Sequence, residues 1–270
     1  MTTTPPDEQH AATREAFPRG LFQPERRFRF SIDALLLGSF AAGRAAGNMV
    51  DLGAGCGVAG LAVLLARPGA PDMLPRAVAV DVDPAMADAA QQNACRLGFA
   101  DRILSLVADV RAVRSEPQLP AGEFDLAICN PPYRRLGQGR LSPSAERCTA
   151  LFETNGELAD FFQAAAYLLK NRGRFCLVIA AARLAEALKR LSDCNLEPKR
   201  LVPVYSRRDA PAPLALIEAR RNGKPGLSCE APLVLYEGRG PATRLTEQAL
   251  AFCPFLACNA GASGCHATDA

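Results

Sequence analysis

A loop with three alternating glycines, Gly53, Gly55 and Gly57, constrains the fold more than any other feature of this chain. The apolar segment 49–52 before it predicts a short buried strand, and the Ala/Leu-rich segment 58–67 after it predicts a helix. Glycine lets the backbone turn sharply and approach a ligand closely, and the first turn of a helix presents free N–H groups. The unit therefore predicts a ligand-binding strand–loop–helix.

Strands and helices continue to alternate along the chain. Further strands are predicted at 77–81, 102–107, 124–129 and 173–180, and helices at 85–97, 157–170 and 183–194. Two later strands, 199–205 and 213–220, are expected to pair antiparallel at one edge, and a short strand is predicted at 233–236. This order predicts an α/β fold with a doubly wound, mostly parallel seven-stranded sheet and an antiparallel C-terminal edge.

Composition is compatible with one domain and no membrane segment. The chain has 270 residues, of which 49% are hydrophobic, enough for a single core. We expect a disordered lead-in over 1–20, one domain over 21–246 and a flexible Cys/Ala/Gly-rich tail over 247–270. Since no secretory signal or spanning segment is visible, a cytoplasmic protein is expected. The net charge of +3 is too small to indicate nucleic acid by itself.

The ten cysteines form no Cys-x-x-Cys pair. A disulfide framework would be unusual in a chain of this size, so we expect buried free thiols in a reducing compartment. Cys253, Cys258, Cys265 and His266 match no common zinc spacing. No metal is therefore expected.

Acidic residues stand at or near the carboxyl ends of the first three predicted strands. Asp51 lies at the entrance to the glycine loop, where it favours a cationic, phosphate-free ligand. Asp81 could accept both hydroxyls of a ribose, and Asp109 could accept from an adenine amino group. Val82 and Val110 could flank that ring. Helix or turn capping is the alternative role for Asp81 and Asp109.

The tetrapeptide Asn130-Pro131-Pro132-Tyr133 follows the fourth predicted strand and contains the candidate catalytic residues. Its two prolines lack N–H groups and fix φ, so the chain leaves the sheet stiffly. The Asn130 side chain and the Pro131 carbonyl could accept both hydrogens of a planar amino group, while Tyr133 stacks on the ring that carries it. This arrangement suits chemistry on an exocyclic or amide nitrogen. A proline-rich loop with an Asn cap is the alternative.

The glycine loop, the two strand-end aspartates and the Asn-Pro-Pro-Tyr motif together resemble a class I S-adenosylmethionine-dependent methyltransferase that methylates amino groups. The resemblance implies a Rossmann-like fold and S-adenosylmethionine as the cofactor. It also implies that the glycine loop lies against the methionine moiety, Asp81 binds ribose and Asp109 binds adenine. Asp33 either orients the methionine end or caps a helix over 34–40. The candidate cofactor-binding residues are Asp33, Asp51, Gly53, Gly55, Gly57, Asp81, Val82, Asp109, Val110 and Asn130.

The flanking segments narrow the resemblance to the bacterial tRNA1(Val) adenine-N6 methyltransferase family, which modifies the adenosine 3′ of the anticodon. The residues that carry it are 23–24, 28–37, 207–221 and 231–237. Arg27-Phe28 departs from the family's usual Gly-Tyr, and the tail beyond Thr246 has no counterpart. The implied partner is RNA, expected to be tRNA, bound by a monomer or weak homodimer. Candidate substrate-binding residues are Tyr133, Arg134, Arg135 and Arg29, with a solvated surface as the alternative for the arginines.

Other functions stay open. Glutamine-amide methyltransferases acting on proteins share the Asn-Pro-Pro-Tyr motif but usually carry a separate N-terminal helical domain, whereas fewer than fifty residues precede the first strand here. A ribosomal RNA base methyltransferase and an inactive, cofactor-binding RNA-binding module are further alternatives. A dehydrogenase is disfavoured because the spacing is not Gly-x-Gly-x-x-Gly.

Overall fold

A computed structural model describes residues 6–25, 27, 29–43, 47–67, 76–131 and 157–262. Its α-helices are α1 (Pro6–Ala16), α2 (Ile32–Ala42), α3 (Val58–Leu65), α4 (Pro84–Arg96), α5 (Leu158–Leu168), α6 (Leu184–Asp193) and α7 (Glu247–Phe252). Its strands are β1 (Met49–Leu52), β2 (Ala77–Asp81), β3 (Ile103–Val107), β4 (Phe124–Cys129), β5 (Leu169–Ala180), β6 (Leu196–Tyr205), β7 (Leu214–Arg221), β8 (Ser228–Cys229), β9 (Leu233–Val234), β10 (Tyr236–Glu237) and β11 (Arg244–Leu245). Short 3₁₀ segments span Val110–Ser115, Ala181–Arg183, Gly240–Ala242 and Pro254–Ala262.

Seven long strands form the body of the sheet in the order β3-β2-β1-β4-β5-β7-β6. The first five strands are parallel to one another, and β7 runs antiparallel to both β5 and β6. The predicted α/β sheet with an antiparallel C-terminal edge is thus confirmed. The two-residue strands β8 and β9 also pair with β6, which extends the described sheet to nine strands. The short strand predicted at 233–236 is thus present as β9 at Leu233–Val234. Strand β8 was not predicted, because two residues carry too little alternation.

Strand β5 begins four residues earlier than predicted, at Leu169 instead of Gly173. Its pairing with β4 shifts register between Phe124 and Leu126, which marks a bulge. Arg172 lies within this segment at a φ of 67°, a conformation that non-glycine residues seldom adopt. The polar residues around Arg172 do not predict a strand. Their place in β5 depends on pairing with β4, which local sequence does not encode.

Helices cover both faces of the sheet. One buried cluster joins α2, α3 and α4 to sheet residues such as Met49 and Ile128. A second cluster joins α5 and α6 to residues of the opposite face, including Val50 and Phe175. Adjacent residues of β1 therefore enter different cores, as expected for strands buried on both sides.

The two ends of the described chain pack against each other, which differs from the expectation of a disordered lead-in and a flexible tail. Phe17, after α1, is 1% exposed, and its ring centroid lies 5.0 Å from that of Phe255 in an edge-on contact. Cys253 and Leu256 of the tail are also buried. The expectation rested on the average composition of each segment, in which a few buried apolar residues are outnumbered by polar or small ones. Residues 263–270, including Cys265 and His266, lie outside the described residues.

The described cysteines are all free, and Cys56, Cys129, Cys176 and Cys253 are buried. Cys95 and Cys229 are exposed, so the expectation of buried thiols holds for only part of the set. Within the described ranges, no group of three or more His, Cys, Asp or Glu side chains could hold a metal ion. None of the described helices is long and apolar enough to cross a membrane.

Candidate functional site

The carboxyl ends of β2, β1 and β4 lie side by side and bring three of the predicted groups together. Strand β1 pairs in parallel with both neighbours as far as Leu52. Asp81 ends β2, Gly53 follows β1 and Asn130 follows β4. Since neighbouring strands are about 4.8 Å apart, the backbones at these positions span roughly 10 Å. Between β1 and β4 the strand order reverses, and open α/β sheets bind their ligands at such a point.

The glycine loop needs glycine for its backbone conformation. Gly53, Gly55 and Gly57 have φ values of 72°, 56° and 84°, all in the left-handed region that disfavours other residues. A Cβ on Gly53 would also lie 3.1 Å from the ring of Phe161 in α5. The loop is therefore a sharp turn that packs against α5. Sequence alone did not indicate the contact with Phe161.

Asp81 joins the glycine loop to the turn after β2. One carboxylate oxygen accepts from Gly55 N at 2.8 Å, and the other accepts from Asp83 N at 2.9 Å. Burial raises the pKa of Asp81, although the backbone donors oppose this change. Each oxygen can accept more than one hydrogen bond, so acceptor capacity remains for a ligand hydroxyl. The turn-forming alternative is thus realised, and it is compatible with the predicted contact to ribose.

Asp51 lies elsewhere than the sequence suggested. Its side chain is 2% exposed, and its carboxylate accepts from Gly60 N of α3 at 3.1 Å. Burial, reinforced by the nearby charge of Asp81, raises the pKa of Asp51 to about 7. The predicted position at the loop entrance is wrong because the strand's alternation turns this side chain toward α3. Asp51 therefore links β1 to the first turn of α3.

Asp109 caps the 3₁₀ segment Val110–Ser115 by accepting from Arg111 N at 2.8 Å. Both of its oxygens also accept from the Arg111 guanidinium, which lowers the pKa of Asp109. The capping alternative is therefore realised, and a contact with adenine would have to share this carboxylate with Arg111. Val110 is buried and Val82 is half-buried, on the strand ends beside it.

Asn130 presents the most unusual polar atom of the site. Its Oδ1 is buried and has no hydrogen-bond partner among the described residues. Pro131 is buried as well. A buried acceptor without a partner is unfavourable by about 1–3 kcal/mol. The strand end therefore holds an acceptor ready for a donor from outside.

Of the remaining predicted site residues, some are described by the structure and others are not. Pro132, Tyr133, Arg134 and Arg135 lie outside the described residues. Arg29 is described and exposed. Asp33 is half-buried in the first turn of α2, one position beyond the helix start at Ile32. Its alternative role as a helix cap is wrong, because Ser31 occupies the cap position.

Two further features of the site went unnoticed in the sequence. The Asn93 side chain, fully buried in α4, bonds to the carbonyl of Cys56 in the glycine loop. Arg27 forms an ion pair with Asp83, two residues beyond Asp81. A signal for Asn93 existed, since it lies on the face of α4 that also carries Met86 and Ala90. A polar residue on an apolar helix face is informative because such groups are seldom buried without partners.

Sheet order and strand-end groups together define a class I methyltransferase fold. The crystal structure of a predicted O-methyltransferase from Agrobacterium tumefaciens is similar, with a TM-score of 0.63 and 24% sequence identity over 83% of this chain and 96% of that chain. This likeness supports the fold. Residues 32–194 match the sequence model of the methyltransferase small domain family. The chain belongs to that family, which confirms the prediction of a methyltransferase.

Curated relatives carry a more specific name. A tRNA1(Val) (adenine(37)-N6)-methyltransferase of Porphyromonas gingivalis strain W83 is 29% identical over 180 residues, covering 65% of this chain and 68% of the relative. One from a Flavobacteriaceae bacterium, strain 3519-10, is 27% identical over 198 residues, covering 68% and 79%. The family resemblance predicted from the sequence is thereby confirmed.

Proposed function

We propose that this protein transfers a methyl group from S-adenosylmethionine to the exocyclic N6 of an adenine in RNA, namely the tRNA adenosine just 3′ of the anticodon. The observation that carries the proposal is the buried, unpartnered Oδ1 of Asn130 at the end of β4. Membership of the methyltransferase family and the names of the curated relatives support the choice of reaction and substrate. They favour it over a protein or ribosomal RNA acceptor.

The described residues fit the proposed cofactor. The three glycines hold the loop in a left-handed conformation, with no side chain of their own over its backbone groups, and Asp81 keeps acceptor capacity beside it. Asp33 is the further candidate for contact with the methionine end of the cofactor, and Asp109 for contact with its adenine. When bound, S-adenosylmethionine supplies an electrophilic methyl group on a positively charged sulfur.

Asn130 would act on the acceptor nitrogen. An adenine amino group is a weak nucleophile because its lone pair is delocalised into the ring. The Oδ1 of Asn130 and the carbonyl of Pro131 would accept its two hydrogens and hold the nitrogen in line with the methyl group. Once the nitrogen bears the methyl group its proton is acidic and passes to solvent, so no strong base is required. Orientation then supplies most of the rate.

Binding of the target base would fall to residues near the motif. We propose that Tyr133 stacks on the adenine after the base leaves its loop, with the backbone held stiff by Pro132. Arg29, Arg134 and Arg135 would contact RNA phosphates. We also propose that the protein works in the cytoplasm as a monomer or weak homodimer.

The proposed reaction is tested with radiolabelled S-adenosylmethionine and total tRNA, with and without ribonuclease. Digestion to nucleosides and mass spectrometry should reveal N6-methyladenosine, mapped by hybridisation to the position 3′ of the anticodon. Label that appears only in protein would replace RNA by a protein amide as the acceptor. Label in ribosomal RNA alone would move the proposal to that substrate.

Replacing Asn130 by Ala should lower the methylation rate by at least about a hundredfold, since an orienting acceptor is lost from the reacting nitrogen. The dissociation constant for S-adenosylhomocysteine should change less than threefold. Single-turnover kinetics and calorimetry measure the two quantities. Equal losses of rate and of cofactor affinity would contradict the role assigned to Asn130.

A further inference from the structure

Asn93 makes an unusual set of contacts for a residue in the last turn of an Ala-rich helix. Its Oδ1 accepts from Phe22 N at 2.7 Å, and its Nδ2 donates to Phe22 O at 2.9 Å. The same Nδ2 donates to Cys56 O at 3.0 Å. The side chain is fully buried. One amide therefore joins α4, the N-terminal segment and the glycine loop.

The N-terminal segment, which we name the strap (the described residues of 20–30), is held along α4 at several points. Gly20 O accepts from Arg96 at 2.7 Å, and Phe22 is held by Asn93. Near the other end of the strap, Arg27 forms its ion pair with Asp83. Asp83 also caps α4 by accepting from Ala85 N at 3.0 Å. The strap thus runs from the end of α4 to the turn that contains Asp81.

The glycine loop needs such an external support. A carbonyl and the next N–H share one rigid peptide plane, so the bond to Cys56 O fixes the plane that carries Gly57 N. Glycines on both sides of Cys56 would otherwise allow that plane to rotate at little energetic cost. Gly57 N already donates to Ala54 O at 2.9 Å, which closes the turn from the other side.

We infer that Asn93 is a positioning residue for the cofactor site, which it serves by fixing the glycine loop and by holding the strap as a wall beside the Asp81 turn. The inference rests on the proposed function, because the ligand it concerns is S-adenosylmethionine. Asn93 itself touches neither the cofactor nor the substrate. It acts through the Cys56–Gly57 peptide and through Phe22.

The first test measures the binding of S-adenosylhomocysteine by calorimetry at a temperature well below unfolding. Asn93→Ala should weaken binding on the order of tenfold, because the loop loses a buried hydrogen bond that orders it. The matched control is Gln92→Ala, which alters an exposed neighbour whose side chain donates to Asp88 of the same helix. This control should bind as the wild type does. A folded Asn93→Ala variant with wild-type affinity would overturn the inference.

A second variant tests the strap without touching the core. Arg27→Gln removes the partly exposed ion pair with Asp83 and should leave the melting temperature within about 2 °C of the wild type. It should weaken binding of S-adenosylhomocysteine about threefold. Trypsin should cleave after Arg29 faster than in the wild type, and added S-adenosylhomocysteine should slow that cleavage. Unchanged affinity and unchanged cleavage would show that the strap is no part of the site.

These outcomes separate the inference from the function on which it rests. If the wild-type protein binds no S-adenosylhomocysteine, the proposed function fails. If the wild type binds it and both variants bind equally well, only the role of Asn93 and the strap is lost. A purely structural role for Asn93 would lower the melting temperature and leave the dissociation constant unchanged, which also counts against the inference.

Discussion

Three carboxylates crowd the turn region of the site, and each is stabilised in a different way. Asp51 is buried against α3, where it accepts from Gly60 N, and its pKa is raised to about 7. Asp81 holds two backbone donors. Asp83 has the charge of Arg27 beside it. At the residue scale, the three acids thus differ in surroundings: Asp51 is enclosed against α3, whereas Asp81 and Asp83 lie at the turn after β2.

Asp51 should make the stability of the protein depend on pH. Because the native pKa of about 7 lies above the ordinary 3.8, the folded protein retains a proton that the unfolded chain releases. This stabilisation is complete below about pH 4 and is lost as the pH rises through 7. Three pKa units correspond to about 4 kcal/mol at most. Urea denaturation of the wild type and of Asp51→Asn at pH 4.5, 6 and 8 measures it.

Asp51→Asn keeps an acceptor for Gly60 N and cannot ionise, so other titrating groups cancel in the comparison. The variant should gain stability relative to the wild type by a few kcal/mol between pH 4.5 and 8. A difference between the two proteins that stays constant over this range would mean that Asp51 titrates at its ordinary pKa.

At the element scale, α2 packs on α3 at unusually short range through a glycine. A Cβ on Gly38 would lie 2.8 Å from the carbonyl oxygen of Ala59 and would collide with the side chain of Ala62. The N-terminal end of α2 carries Asp33, and Gly57 of the loop is the N-cap of α3. The spacing of these two helices therefore sets where the strap enters the site.

Replacing Gly38 by Ala should destabilise the protein by about 1–3 kcal/mol, because the added methyl group forces α2 and α3 apart. Gly43→Ala is the matched control, since Gly43 is the C-cap of the same helix, with a φ of −60° and no atom of the described residues within 4 Å of an added Cβ. The control should change stability by no more than about 0.5 kcal/mol. Thermal unfolding of both variants measures the effect, and equal midpoints would contradict the close packing.

At the scale of the whole molecule, both chain ends complete the core beside α2. Phe17 packs edge-on against Phe255, and the Cys253 thiol lies 3.6 Å from the carbonyl oxygen of Leu35. Burial raises the pKa of the Cys253 thiol, which keeps it protonated. The ends therefore support the helix that leads from the strap into the fold.

Phe17→Ala should lower the free energy of unfolding by about 3–5 kcal/mol, as expected for a large buried ring that leaves a cavity. Leu227→Ala, at a side chain that is 44% exposed, should change it by less than about 1 kcal/mol. Urea denaturation compares the two variants. A loss below 1 kcal/mol at Phe17 would mean that the N-terminal helix does not contribute to the cooperative fold.

Much of the fold was predictable because its signals are local. Seven strands, their alternation with helices and the antiparallel edge follow from short apolar runs and glycine or proline breaks. The start of β5 was missed because its bulge depends on pairing with β4. The packing of α1 and of the C-terminal segment was not predicted, because a single buried aromatic residue such as Phe17 hardly changes the average composition of its segment.

Local sequence was enough to predict the parts of the site that lie on one strand and its following turn: the glycine loop, the acid that ends β2 and the polar residue that follows β4. The direction of the Asp51 side chain and the link that Asn93 makes between the strap and the loop emerged from long-range packing. Backbone conformation depends mainly on a residue and its neighbours. Burial and hydrogen-bond partners are set by elements far apart in the chain, such as Phe22 and Asn93.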